Sequence, residues 1–370
     1  MLIFDRVVEQ METNKNLREE GRHINIPLPF PRMSRYLPGI QKGRYYIITA
    51  NSKVGKSQIA DYLFLYNPFK FITRNKTNIK LKIFYFTLEM NKEEKMKQAI
   101  SHFLFDHDPK IILAPEKMDS QYADYILDKA ALDKVKALRD EFARFEDCVE
   151  FVDSVRNPFG IYEHIRAYAE SHGTYVMKEK EFEITRESGE KVTEVRRVRD
   201  YYIPHNPDEY VIVIIDHASL ITAEVVDGKR QSLHEAIFSL SSNYLVRMRN
   251  VWNYIPVLIQ QQAAATESVE NLKLNKLQPS ADGLGDCKLT ARDADVMLGL
   301  FSPFRHKIPE YERYDLRLLR DNHRELSVIM NRRGSSVATQ LYFDGAVNHI
   351  EELPLVGSHE LAMLYEHLRK

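Results

Sequence analysis

The chain has 370 residues, 44% of them hydrophobic, enough for one large or two ordinary domains with a substantial core. Lys and Arg total 52 against 53 Asp and Glu, so no global charge draws the protein to nucleic acid and any such binding has to be local. Cys148 and Cys287 are the only cysteines, which excludes a disulfide framework or a cysteine-based zinc site, and no apolar run approaches the roughly 20 residues of a membrane span; a cytoplasmic protein with free thiols and no membrane partner is expected.

Residues 1–22 carry Ile3, Phe4, Val7, Val8 and Met11 near helical spacing ahead of a charged run. They predict a short helical arm, packed either on its own domain or on a neighbouring subunit. Residues 26–33 hold Pro27, Pro29 and Pro31, too many for a helix or a central strand, and are expected to form an extended lead-in to the core. The apolar run 45–49 then predicts a strand. It breaks into Ala50, Asn51, Ser52, Lys53, Val54, Gly55, Lys56 and Ser57, which read as a phosphate-binding loop whose bare backbone N–H groups wrap a nucleotide's phosphates at a helix start. Ala50 stands where the pattern usually has its first glycine, so the pattern alone is a near miss; the strand before it and the helical run 58–63 after it supply the context.

Residues 82–90 predict a second buried strand, ending in Glu89 and followed by Asn91 as the N-cap of a helix. The stretch 95–147 reads as mainly helical with breaks near Pro109 and Pro115, and 148–153 as a third strand. Between 170 and 208 the composition turns polar. There 181–185 and 191–195 alternate at period two around Ser188-Gly189, the signal of an inserted surface hairpin. The run 210–217 is continuously apolar up to Asp216, as expected of a central parallel strand covered on both faces. A helix face at Leu233, Ile237, Leu240, Tyr244, Met248 and Val251 leads to a fifth strand over 255–262 and a loop-like segment to 289. Strands at 294–301, 326–330 and 339–344 suit an antiparallel addition to the sheet edge, and 358–368 a closing helix.

Strands alternating with helices after a phosphate loop predict an α/β fold with a mainly parallel sheet flanked by helices and antiparallel strands at its C-terminal edge. The expected organisation is an arm over 1–22, one motor domain over 23–352 containing the hairpin, and a helical tail over 353–370. Phosphoryl transfer asks a protein mostly to position groups and neutralise charge. Lys56 is the candidate for the β- and γ-phosphates, the Ser57 hydroxyl and Asp216 for Mg²⁺. Glu89, on a strand expected to lie beside the phosphate-loop strand, is the candidate base for the attacking water. Gln262 ends another strand and could sense the γ-phosphate through its amide, with Gln260 and Gln261 alongside.

Taken together these residues resemble the hexameric replicative DNA helicases of the DnaB type, themselves RecA-like motors, and the resemblance implies a RecA-like P-loop ATPase core. The resemblance covers about 22–350 and is carried by the proline-rich lead-in, Ala50 at the first loop position, Phe86-Thr87-Leu88-Glu89-Met90, Ile214-Ile215-Asp216-His217, 256–262, 286–296 with its Asp293-Ala294-Asp295, and 328–334. It implies ATP and Mg²⁺ as cofactors, a hexameric ring, single-stranded DNA at a replication fork as substrate, and a primase or loader as a further partner. It also implies that Glu89 is the base, that Arg332 or the adjacent Arg333 is an arginine finger offered to the next subunit, and that Gly285 and Lys288 lie in a DNA-contacting loop. Met330 replaces the Lys that the family places two positions before the finger, the DNA loop does not reproduce the usual sequence, and the N-terminal helical domain has no counterpart in these residues. Two rivals share part of the pattern: a RecA-like recombinase filament, and a helicase-derived scaffold that binds nucleotide without unwinding.

Overall fold

Strand β1 (Tyr46–Ala50) is buried at all five positions, because helices cover both faces of the sheet that it centres. The computed structural model describes residues 3–185, 191–274 and 276–369. After β1 come β2 (Lys80–Thr87), β3 (Val149–Val152), the long pair β4 (Gly173–Thr185) and β5 (Lys191–Pro204), and β6 (Glu209–Asp216). A two-residue pair β7 (Val225–Val226) and β8 (Lys229–Arg230) precedes β9 (Ile255–Gln261) and β10 (Val296–Phe301). A second short pair, β11 (Glu310–Tyr311) and β12 (Tyr314–Asp315), precedes β13 (His323–Asn331), β14 (Ala338–Asp344) and β15 (His349–Glu352).

Nine of these strands form one sheet in the order β15-β14-β13-β10-β1-β9-β6-β2-β3. The six from β10 to β3 are parallel, and β13, β14 and β15 add antiparallel to β10. The expected mixed α/β sheet is therefore present. Two details differ from the sequence reading. The 294–301 strand is β10, a parallel neighbour of β1 and not part of the antiparallel addition. The strand leading to Glu89 is not beside β1: β9 and β6 intervene, and β2 pairs with β6. Hydropathy marked each run as buried but held no information on order, which crossover connections set.

Because side chains alternate across a strand, each apolar run feeds two cores. Ile48, Tyr85, Ile214 and Ile259 face the helices α2 (Lys56–Asp61), α3 (Asn67–Arg74), α4 (Lys92–His107), α5 (Lys129–Ala137) and α6 (Arg139–Cys148) through Ile59, Leu63, Phe103 and Phe145. Ile47, Phe86, Ile215 and Leu258 face α7 (Pro158–Ser171), α8 (Leu233–Phe238) and α9 (Val246–Trp252) through Ile161, Ile237, Met248 and Trp252. The helix opened at Lys56 continues through a wider turn at Tyr62–Tyr66 into α3. Cys148 ends α6 instead of opening β3.

The proline-rich lead-in runs extended across the first core. Ile26 bridges Ile40, Phe30 and Met33 are fully buried, and Arg32 binds Glu352 on β15 at 3.0 Å. Helix α1 (Ile3–Glu19) buries none of its residues, and Ile3, Phe4 and Met11 are all more than half exposed. Strands β4 and β5 form the antiparallel hairpin expected from the period-two pattern, rooted where Trp252 Nε1 donates to Tyr175 Oη. Its expected turn at Ser188-Gly189 lies outside the described residues.

Candidate nucleotide-binding and hydrolysis site

The turn after β1 needs two left-handed residues, Lys53 at φ +60° and Gly55 at φ +106°. At Gly55 a side chain is excluded twice over: the conformation disfavours it, and a Cβ would stand 2.7 Å from the Phe343 ring. Around this turn Asn51 and Val54 are buried and Ser52 and Lys53 exposed, so the loop rim faces solvent and its root is packed. Two arginines that the sequence reading missed brace it. Arg324 Nε donates to the Val54 carbonyl at 2.8 Å while its guanidinium lies 4.7 Å from the Phe343 ring centre, and Arg305 donates to the Ser52 carbonyl. Arg324 and Phe343 sit on β13 and β14, so the antiparallel strands serve as the loop's backing.

Lys56 opens the helix, and its ammonium has no hydrogen-bond or ion-pair partner among the described residues. Ser57 Oγ donates to Asp216 Oδ1 at 2.9 Å. Asp216 ends β6 with no exposure at all, and its second oxygen lies 2.9 Å from Tyr85 Oη and 3.4 Å from Lys95 Nζ. Both groups also reach Asp61, Tyr85 at 2.7 Å and Lys95 at 2.8 Å. Burial alone would raise the Asp216 carboxyl, yet Lys95, Ser57 and Tyr85 outweigh it and hold it below the ordinary range. At Asp61 burial wins over Lys95, and the carboxyl is raised. Tyr85 has one proton to give, so both its contacts are hydrogen bonds only when Asp61 is itself protonated and donates to Oη.

Mg²⁺ fits this donor set. Two oxygens in neighbouring positions of an octahedral shell at about 2.1 Å stand about 2.9 Å apart, the separation that Ser57 Oγ and Asp216 Oδ1 have. Among the described residues no cluster of three His, Cys, Asp or Glu could hold a metal, which suits an ion that takes its remaining ligands from water and phosphate.

Glu89 lies two residues past Thr87, the register partner of Asp216, so its backbone follows the strand end next to the Ser57–Asp216 pair. It is exposed, and its carboxylate makes no hydrogen bond or ion pair among the described residues. His217 follows Asp216, and burial first, then the Lys56 charge, depress its pKa. Gln262, the sequence candidate for sensing the γ-phosphate, is hydrogen-bonded within the fold. It lies one residue past β9, 2% exposed, and its amide is spent on Thr49 (2.9 Å) and Ser280 (3.0 Å and 3.2 Å). Gln261, paired in register with Ala50 at the loop root, is half-buried and has no side-chain partner. Of the adjacent glutamines it is the one with an amide free for a ligand, because alternation turns it to the face opposite Gln260 and Gln262.

Lys288 is exposed and Gly285 half-buried, in a segment tied back to the β9 strand. Gln260 Nε2 donates to the carbonyls of Gly285 and Cys287 at 2.6 and 2.7 Å, and the Gly285 N–H donates to Gln261 at 2.8 Å. Arg332 and Arg333 are elsewhere. Asn331 pairs with Val296 at the start of β10, level with Tyr46, so both arginines lie at the sheet end opposite the phosphate loop, roughly 15 Å away along the strands. Arg332 is exposed and its guanidinium donates only to the Arg292 carbonyl. The site residues brought together in one chain are thus 51–57, Asp216 and Glu89, with Gln262 behind them and the arginines apart.

The sheet order and the loop after β1 make a RecA-like fold. No family model matches the chain, and no curated protein matches it. Solved structures do. The ATPase domain of the gene-40 protein superposes with a TM-score of 0.66 at 16% identity, covering 95% of this chain and 99% of that one. A DnaB-like replicative helicase, solved to show its interactions with primase, gives 0.63 at 17% identity over 95% of this chain and 71% of its own. The likeness at these identities is one of fold: the chain has the RecA-like architecture of DnaB-like helicase ATPase domains, antiparallel edge included.

Proposed function

We propose that the chain is the motor of a DNA helicase that assembles as a ring, most simply a hexamer, hydrolyses ATP at its subunit boundaries and translocates on single-stranded DNA to unwind duplex at a replication fork. The observation that carries the reading is the division of the catalytic set between the two ends of one sheet: loop 51–57, Asp216 and Glu89 at one end, Arg332 and Arg333 at the other. An arginine held roughly 15 Å from its own phosphate loop can complete a site only on another copy. In this reading the N–H groups of the loop and the free Lys56 ammonium hold the phosphates, and Ser57 and Asp216 hold Mg²⁺. The metal supplies positive charge against the phosphate oxygens. Glu89, unpaired beside the metal pair, accepts the proton of the attacking water. The Gln261 amide is placed to meet the γ-phosphate, and Gln262 passes a shift of β1 to the 280–290 segment through Thr49 and Ser280. Gly285 and Lys288 then present that segment to DNA, a local basic contact repeated around a ring.

The test is ATP-dependent strand displacement on a forked DNA with Lys56→Ala as control. Displacement that is lost in the variant is expected. ATP turnover by assembled rings without displacement, even with a loader or primase supplied, would reduce the protein to a nucleotide-binding scaffold, and filaments in particle images would favour a recombinase.

A further inference from the structure

Deep under the phosphate loop lies a cluster of charged and polar side chains for which stability gives no reason. Asp61, Tyr85, Lys95 and Asp216 are each at most 1% exposed, and the apolar positions Ile59, Ala60 and Leu63 flank Asp61 on its helix. Burying an ion group in such a core is commonly less stable than packing apolar side chains of similar volume, so its presence points to work at the adjacent site.

That work can be read from the oxygens of Asp216. Oδ1 faces the Ser57 hydroxyl at 2.9 Å. Oδ2 is held from behind by Tyr85 at 2.9 Å and Lys95 at 3.4 Å, and both holders are anchored on Asp61. A carboxylate gripped on one oxygen cannot rotate or take the metal through both, so a single oxygen stays turned toward Ser57. Lys95 also belongs to α4, whose N-cap Asn91 accepts from Glu94 at 2.8 Å and lies two residues past Glu89. One ammonium therefore joins the helix that follows the candidate base to the carboxylate that faces the metal.

We propose that Lys95, Tyr85 and Asp61 are positioning residues that fix Asp216 as a one-oxygen metal partner and hold the Glu89 segment in register with it. The proposal rests on the ATPase reading above, and none of the three residues touches substrate. Removing partners that orient a metal ligand typically costs 10- to 100-fold in metal affinity or activity.

The experiment follows ATP turnover by the full chain against Mg²⁺ concentration, together with binding of a fluorescent ATP analogue in EDTA and thermal unfolding. Tyr85→Phe removes only the hydroxyl and keeps the packing. It should raise the half-saturating Mg²⁺ about 10-fold and lower kcat, while metal-free nucleotide binding stays within about 2-fold of the unsubstituted protein. Lys95→Met should show the larger loss, in both Mg²⁺ response and kcat. If Lys95→Met fails to fold, Tyr85→Phe decides alone. A folded Tyr85→Phe protein with unchanged Mg²⁺ response and kcat overturns the positioning role and leaves the ATPase reading intact. Absence of turnover and nucleotide binding in the unsubstituted chain overturns both.

Discussion

At the C-terminal ends of β1, β6 and β2 nearly every polar group is tied: Ser57 to Asp216, Asp216 to Tyr85 and Lys95, the loop carbonyls to Arg305 and Arg324. Among the described residues the exceptions include Lys56 and Glu89, the two groups that a nucleotide and its attacking water would engage in the proposed reading, together with the Gln261 amide and His217 Nδ1. At the opposite end of the same sheet the pattern reverses. Arg332 and Arg333 are exposed, the Arg44 Nη1 atom is buried without a partner, and α1 shows Ile3, Phe4 and Met11 to solvent. One end ties its groups to one another around Lys56 and Glu89, and the other exposes its arginines to solvent. In the proposed reading the functional unit is a pair of unlike edges brought together between copies, the arrangement a head-to-tail ring requires.

The comparison can be broken most sharply at the arginine end. Arg332→Ala should lower ATP turnover by roughly 10³-fold or more, the range for removing an arginine finger, with nucleotide affinity retained in equilibrium binding. Full turnover would move the role to Arg333 or dissolve the two-edge account. At the loop end, Glu89→Gln should lower turnover about 10²- to 10⁴-fold and leave bound ATP trapped, which rapid filtration of labelled nucleotide would reveal; undiminished hydrolysis removes its role as base. A smaller effect is expected behind the loop. Arg324→Met leaves the Val54 carbonyl without its donor and should cost about 2 kcal/mol in denaturant unfolding, with weaker ATP binding. Smallest for stability is deletion of residues 1–19. Because α1 buries nothing, the truncated chain should unfold within about 0.5 kcal/mol of the full one, while light scattering shows a lower oligomeric state; a large loss of stability would mean that the helix belongs to its own domain.

Much of this was legible in the sequence. Apolar runs marked β1, β2, β6 and β9, and the loop, Asp216 and Glu89 stand at strand ends because a parallel sheet gathers its functional groups there. What was not legible depends on contacts far apart in the chain. The position of β10 beside β1 follows from crossover connections, and the bracing of Gly55 by Phe343 from a pairing nearly 290 residues away. Gln262 and Gln261 are adjacent letters with opposite fates, decided by which face of β9 each one occupies. Asp61 did carry a signal: a carboxylate between Ile59 and Leu63, on a helix face that must be buried, announces a partner, although not which one.

The most direct measurement mixes two inactive proteins. Lys56→Ala retains the arginine edge and Arg332→Ala retains the loop edge, so mixed assemblies contain some boundaries at which both are intact. ATP turnover by the mixture, well above either variant alone and rising toward a maximum at intermediate ratios, is the result the account predicts. A mixture no more active than its components, with mixed assembly confirmed, would contradict it.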